Sequence, residues 1–256
     1  MKRTLFAVAL ATTLTLSAAA EQAKKPATSV HHAGNPAASN ELKDAVSPTP
    51  PTLCKPCAFY GGDLDPSDPN AAGLSDENTF YVPGSSTYTA VDIPTGSSVV
   101  VQGLLVNVQA SAAFDPQTAS YDIRTGISEG NGGTSLASGT ANAKVVATGR
   151  TFNGAYEYTI AVDVPKILLT SGEYWFNVTP TCMNTLDGSC YVFRQFESNT
   201  TAGGANNVRG LLQPAHAEYL NSALYGADFN NWCDSQFGLN SIQCSRASFG
   251  VIGVIQ

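Results

Sequence analysis

The sequence is short of charge, and shortest of positive charge. Of its 256 residues, 13 are Lys or Arg and 20 are Asp or Glu, so 13% are charged. Soluble globular proteins usually reach ~25%. Helices dress their exposed faces with Glu, Lys and Arg, and the scarcity of these residues disfavours a helical bundle. The acidic excess leaves a formal charge of −7 and an isoelectric point near 4.8. A phosphate backbone needs a basic face, so nucleic acid is excluded as a partner. Histidine is nearly absent: His31 and His32 sit near the N-terminus, which leaves His216 as the one imidazole for any catalytic triad further on. The C-terminal stretch Phe249 to Gln256 has no basic-flanked apolar span, so no membrane crossing is expected once an N-terminal leader is removed.

That leader is read from Met1-Lys2-Arg3, the apolar and hydroxylic run Leu5 to Ala20, and the small residues Ala18-Ala19-Ala20 at its end. This is the pattern of a signal peptide over residues 1–20, and it predicts a secreted or periplasmic protein. Residues 21–53 are rich in Pro, Ala, Ser and Thr. They cannot bury enough apolar surface to offset chain entropy, which predicts a disordered tether before a folded domain over residues 54–256.

Six cysteines fit export: Cys54, Cys57, Cys182, Cys190, Cys233 and Cys244. An even number in an oxidising compartment reads as a disulfide set, whose connectivity sequence alone does not fix. Spacing favours three local bridges, Cys54–Cys57, Cys182–Cys190 and Cys233–Cys244. Cys54-Lys55-Pro56-Cys57 also matches the C-x-x-C redox pattern, but that chemistry needs a helix N-terminus in a βαβ unit to lower the thiol pKa. Ala58-Phe59-Tyr60-Gly61-Gly62 follows instead, so a structural bridge is expected.

Alternation supplies the fold. In Tyr156 to Val164, Tyr156, Tyr158, Ile160, Val162 and Val164 share one face, while Glu157, Thr159 and Asp163 share the other. That is a strand with one buried and one wet face. Further strands are predicted at Thr87–Ile93, Val99–Val108, Ser120–Ile127, Ala143–Thr148, Tyr174–Thr179, Tyr191–Phe196 and Ala247–Ile255, with a bulge at Gln102-Gly103. Gly- and Asn-rich turns separate them, as in Gly130-Asn131-Gly132-Gly133. The pattern predicts an all-β, antiparallel sandwich of jelly-roll or Ig-like type. Only His216–Tyr225 has a helical rhythm, which allows at most one short helix.

The strings Tyr60-Gly61-Gly62-Asp63-Leu64-Asp65-Pro66, Ile123 to Gly133 and Leu169 to Phe176 resemble a group of exported bacterial β-sandwich proteins. Some members of that group carry a C-terminal sorting signal, and no activity is assigned to it. The resemblance spans most of residues 58–256 and implies a single β-sandwich. The chain departs from the group by having no sorting tail, so release or periplasmic residence is expected in place of anchoring.

Chemistry is sparse. Gly126-Ile127-Ser128-Glu129-Gly130 matches G-x-S-x-G, but a nucleophile elbow needs a strand-to-helix turn and the residues after it are Asn131-Gly132-Gly133. A glycine-rich hairpin is expected there. The best cluster is Asp63, Asp65, Asp68, Asn70 and Asp76, whose hard oxygens suit a structural Ca²⁺, although the spacing is not that of an EF-hand. A glycosidase would need two carboxylates about 5–9 Å apart. Asp122, Glu129, Glu157, Glu173 and Glu197 are eligible, and sequence cannot select a pair. Trp175 falls opposite Tyr174, Phe176 and Val178, so it is expected to face outward, where it could stack on a sugar ring or a partner, or cover the edge of the second sheet. The expectation is an exported, monomeric, non-catalytic binding or structural module, with an extracellular glycan or a cell-surface component as partner. The alternative is a carbohydrate-active hydrolase on a jelly-roll scaffold.

Overall fold

The computed structural model describes residues 50–63, 73–79, 82–110, 116–152, 154–182, 194–198, 211, 218–231 and 246–256. Every regular element among them is a strand: β1 (Cys57–Tyr60), β2 (Gly73–Ser75), β3 (Asn78–Thr79), β4 (Ser86–Ile93), β5 (Val99–Ala110), β6 (Thr118–Thr125), β7 (Thr134–Asn142), β8 (Lys144–Phe152), β9 (Ala155–Leu169), β10 (Gly172–Cys182), β11 (Arg194–Ser198), β12 (Glu218–Ser222), β13 (Ala227–Asn231), β14 (Arg246–Ala247) and β15 (Phe249–Ile255). They form two packed, predominantly antiparallel sheets, a β-sandwich. In the eight-stranded sheet β8, β9, β5, β15 and β1 lie side by side, and β11 takes over beside the end of β5, carrying β2 and β14. The seven-stranded sheet runs β13-β12-β4-β10-β6-β7, with β3 parallel to the end of β10.

The alternation read from the sequence builds the core between the sheets. Tyr158, Ile160, Val162 and Val164 of β9 point inward, as do Val91 and Ile93 of β4, Tyr121 and Ile123 of β6, and Phe176 and Val178 of β10. The Phe176 ring packs on Phe249 with centroids 5.7 Å apart. The longest pairing, β5 with β9, runs from Val99 opposite Leu169 to Ala110 opposite Tyr156. Register shifts at Gln102-Gly103 against both β9 and β15, where the sequence places a bulge. A Cβ on Gly103 would lie 2.8 Å from the Val162 carbonyl oxygen, so the close approach of β9 requires glycine there.

Two local expectations are corrected. The helical rhythm over His216–Tyr225 is not a helix where it is described: Glu218–Ser222 is β12, antiparallel to β4, and residues 223–226 form the turn into β13. Cross-strand hydrogen bonds and the positive φ of Gly226 decide the local conformation against a weak periodicity. The outer face of β9 is not wet along its length either. Asp163 is exposed, but Glu157 and Thr159 are 2% and 1% exposed. The reason is a buried polar row across the outside of the eight-stranded sheet. Asn107 donates to Tyr60 Oη and Ser248 Oγ, both at 2.8 Å, and accepts from Thr159 Oγ1 at 2.6 Å. Tyr60, Leu105, Ala161 and Ile252 continue it as a small apolar cluster against Cys54. Cys54 and Cys57 are bonded to each other, and Cys182 is disulfide-bonded too. Cys190, Cys233 and Cys244 lie outside the described residues.

Candidate binding surface

On the seven-stranded sheet the strand period turns Tyr88 and Ala90 of β4, Asp122 and Arg124 of β6, and Trp175 and Asn177 of β10 away from the main core. In register, Trp175 lies between Ala90 and Arg124, and Asn177 is opposite Asp122. The turn from β6 to β7 folds back over this face until it meets β13. There the Gly130 N–H donates to the Phe229 carbonyl at 3.2 Å. Glu129 accepts from the Asn230 side chain at 2.5 Å and from the Asn231 N–H at 2.7 Å. Beneath this strap, Tyr88, Ala90, Ile127, Trp175 and Phe229 close a second small core.

Arg124 is the pin of that core. Its guanidinium carbon lies 5.6 Å from the Tyr88 ring centroid and 5.4 Å from that of Phe229, within cation–π range. Its Nε donates to Asp122 at 2.5 Å and its Nη1 to the Gly132 carbonyl at 2.8 Å. Asp122 also accepts from Ser135 Oγ at 2.7 Å and Tyr88 Oη at 3.2 Å. Burial works against the charge on Arg124, but the Asp122 carboxylate holds it in the charged form and raises its pKa. A Cβ on Gly132 would sit 2.5 Å from the Phe229 ring, so the strap can close only on glycine.

Trp175 therefore faces away from the main core, as its alternation requires, yet it is 3% exposed. The expectation of an indole open to a ligand is corrected: the strap and the β12–β13 hairpin cover it. What reaches the rim is Tyr219, half-buried, its ring edge-on to Trp175 at 5.1 Å and 81°. Trp175 Nε1 donates to Glu173 at 3.1 Å. Glu173 lies directly opposite Asp92 in the β4–β10 register. Partial burial pushes both carboxyls up, and the Asp92 charge adds to the effect on Glu173. The Tyr219 phenol is also pushed up, by burial and then by the Glu129 charge. Asp92, Glu173, Glu129 and Tyr219 thus form one polar rim around a supported aromatic ring. Of these, sequence reasoning had singled out Glu129 and Glu173. Asp92 and Tyr219 carry no local signal, since only the cross-strand register brings them there.

The remaining sequence candidates have other duties. Ser128 and Asn131 exchange backbone hydrogen bonds of 2.9 and 2.8 Å in a tight turn, which is the glycine-rich hairpin expected and not a strand-to-helix elbow. His216 lies outside the described residues, as do Asp65, Asp68 and Asn70. Asp63 accepts from the Tyr60 hydroxyl and is paired with Arg150 at 2.9 Å. Arg150 also binds the buried Glu157, which accepts from Thr148 Oγ1 at 2.6 Å. Asp76 belongs to the other sheet. Past Thr89 and Phe176, the pairing of β4 with β10 ends, and Asp76 fills the opening. Its Oδ1 accepts from Thr179 Oγ1 at 2.7 Å, Asn177 Nδ2 at 3.1 Å and the Thr87 N–H at 3.3 Å, while its buried Oδ2 has no partner among the described residues. Burial raises the Asp76 pKa to about 8. Among the described residues no group of three or more His, Cys, Asp or Glu is placed to hold a metal ion, and no helix is long and apolar enough to cross a membrane.

No family model matches this chain, and no curated protein or solved structure does. Its own geometry is the basis for a functional reading.

Proposed function

We propose that the protein is an exported, non-catalytic binding module, and that the rim around Tyr219 takes a glycan at or outside the cell surface. The observation that carries this reading is the Tyr219 ring braced edge-on by the buried Trp175 and flanked by the Glu173 and Glu129 carboxylates and the Asn230 and Asn231 carboxamides. A fixed aromatic surface beside hydrogen-bonding groups of both kinds is what a sugar ring requires, because its faces are apolar and its edges are hydroxyls. The deeper carboxylates Asp122, Glu157 and Asp63 are consumed by Arg124 or Arg150, which suits a scaffold. A glycan array run with the intact chain and with Tyr219→Ala tests the reading. Binding that disappears in the variant supports it; binding that survives, or none to any glycan, overturns it.

One observation favours a second reading, a glycoside hydrolase. Asp92 and Glu173 face each other across adjacent strands, where Cβ atoms are about 4.5–5.5 Å apart. Partial burial pushes both acids up, as a general acid requires. Reducing-sugar release by the intact chain that is lost in Glu173→Gln would favour this reading over the first.

We propose structural Ca²⁺ in the acidic segment Asp63 to Asp76 on the sequence positions Asp65, Asp68 and Asn70 alone, since Asp63 is paired with Arg150 and Asp76 is sealed among Thr87, Asn177 and Thr179. Calorimetric titration of chelator-treated protein decides it, since no heat at millimolar metal removes the ion. Membership in the exported β-sandwich group stands on the quoted strings alone.

A further inference from the structure

We infer that the glycan taken at the Tyr219 rim is cationic, an oligosaccharide of amino sugars whose nitrogens are free ammonium groups. The inference rests on the glycan reading of that rim and adds the chemical class of the sugar. Asp92, Glu129 and Glu173 surround the ring, and the hydrogen bonds they accept come from neutral donors. Glu173 accepts from the Trp175 indole N–H, and Glu129 from the Asn230 side chain and the Asn231 N–H. Among the described residues no ion pair reaches any of these acids. The ion pairs there join Asp122 to Arg124, Asp63 and Glu157 to Arg150, and Asp163 to Lys144. A neutral donor holds a carboxylate in place but leaves its charge uncompensated.

The acids also repel one another. Asp92 and Glu173 are directly opposite on adjacent strands, where like charges are unfavourable. After burial, the Asp92 charge is what pushes Glu173 up, and the charges of Glu129 and Glu173 both act on the Tyr219 phenol. The fold supplies no cation to relieve this. Among the described residues Arg124 is the only Lys or Arg of the seven-stranded sheet; Lys55, Lys144, Arg150, Lys166, Arg194 and Arg246 lie on or beside the eight-stranded sheet. Arg124 is already committed to Asp122 and the Gly132 carbonyl, between the rings of Tyr88 and Phe229.

The spacing of the acids selects the kind of cation. Among the described residues no three acidic, His or Cys side chains are grouped to hold one metal ion, so a single ion does not answer all of the rim. Acids set apart around an aromatic ring suit a ligand that carries its charges at intervals. An amino-sugar oligomer does so. Each of its rings offers an apolar face to Tyr219 and an ammonium group at the edge to a carboxylate. An ammonium over the Tyr219 ring adds a cation–π attraction. Acetylating the nitrogens removes the charge and keeps the sugar ring, which isolates the inference from the reading beneath it.

Calorimetric titration of the full chain tests this, with a glucosamine hexasaccharide, its N-acetylated counterpart and a lysine hexapeptide as probes. The pH is mildly acidic, so that the amines are protonated. The free-amine sugar should bind about tenfold more tightly than the acetylated one, and added salt should shrink the difference. Asp92→Asn with Glu173→Gln should remove the preference without lowering the melting temperature, since the two carboxylates repel each other in the fold. Glu129 is left in place because it ties the strap to β13. Equal affinity for the two sugars, with binding lost in Tyr219→Ala, overturns the inference and leaves the glycan reading standing. A preference that survives the double substitution overturns it too. So does lysine hexapeptide binding as tight as that of the amino sugar, which would make the partner a basic peptide. No binding of the free-amine sugar also overturns it, and the glycan reading falls with it only if no glycan on the array binds either.

Discussion

Asp76→Asn removes a proton-binding group from the opening between β4 and β10 while keeping its shape. In the folded chain the Asp76 pKa is raised to about 8, chiefly because the carboxyl is sealed from water. In an unfolded chain it is ~3.9. Between those values the folded state holds the proton and the unfolded state does not, so unfolding releases it. Stability should therefore fall as pH rises through that window, by ~1.4 kcal/mol per pH unit from this group. Below about pH 4 both states are protonated and the contribution is fully present; above about pH 8 both are ionised and the loss levels off. From pH 5 to pH 8 the loss amounts to roughly 3.5 kcal/mol. No screening discount applies, since Asp76 is 0% exposed. Asparagine can still accept at Oδ1 from Thr87, Asn177 and Thr179, but its amide nitrogen meets the place where Oδ2 has no partner. That costs about 1–3 kcal/mol at every pH. The diagnostic quantity is therefore the slope. Urea denaturation of both proteins at pH 5, 6, 7 and 8, with EDTA present and disulfides oxidised, should show the variant gaining on the wild type by roughly 3.5 kcal/mol across the range. Parallel pH profiles would refute the reasoning.

Two further substitutions test the other sheet and the core. Arg150→Ala strips the cation from Glu157, which is 2% exposed. Because Arg150 is itself 38% exposed, the cost should be roughly 2 kcal/mol, below the 3–5 kcal/mol of a fully buried pair. Arg150→Ala with Glu157→Gln should recover part of that loss in the same urea assay; a double variant no better than the single one would mean that Glu157 carries no uncompensated charge. Phe176→Ala removes a ring that is 2% exposed and packed on Phe249. It should cost about 3–5 kcal/mol with an unchanged denaturant slope, as a cavity does.

Much of the sandwich is legible in the chain because strand period and turn chemistry are local. Tyr156 to Val164, Gln102-Gly103 and Gly130 to Gly133 each carry their own signal, and they are found as a strand face, with Tyr156 at its end exposed and not buried, a register shift and a turn. β12 is not legible, since Glu218 to Ser222 takes its conformation from pairing with β4. β7 is missed for a related reason. Its Ser, Thr, Ala and Gly residues give no apolar alternation, and β6 supplies the template.

The sequence by itself determined that strands with two distinct faces would form, and which residues would share each face. Trp175, Glu157 and Thr159 were all assigned away from the main core, and there they are. Tertiary structure alone decided what lies against that second face. A period of two says that a face exists, but its exposure depends on segments far away in the chain: the strap and Phe229 over Trp175, Arg150 beside Glu157, and Tyr60 with Asn107 toward Thr159. The same holds for the scarce charge. The sequence counted 13 cations, and only folding placed Arg124 between two rings beside Asp122 and Arg150 between Asp63 and Glu157. Burying a carboxylate is tolerable only beside a partner, and distant strands supply that partner.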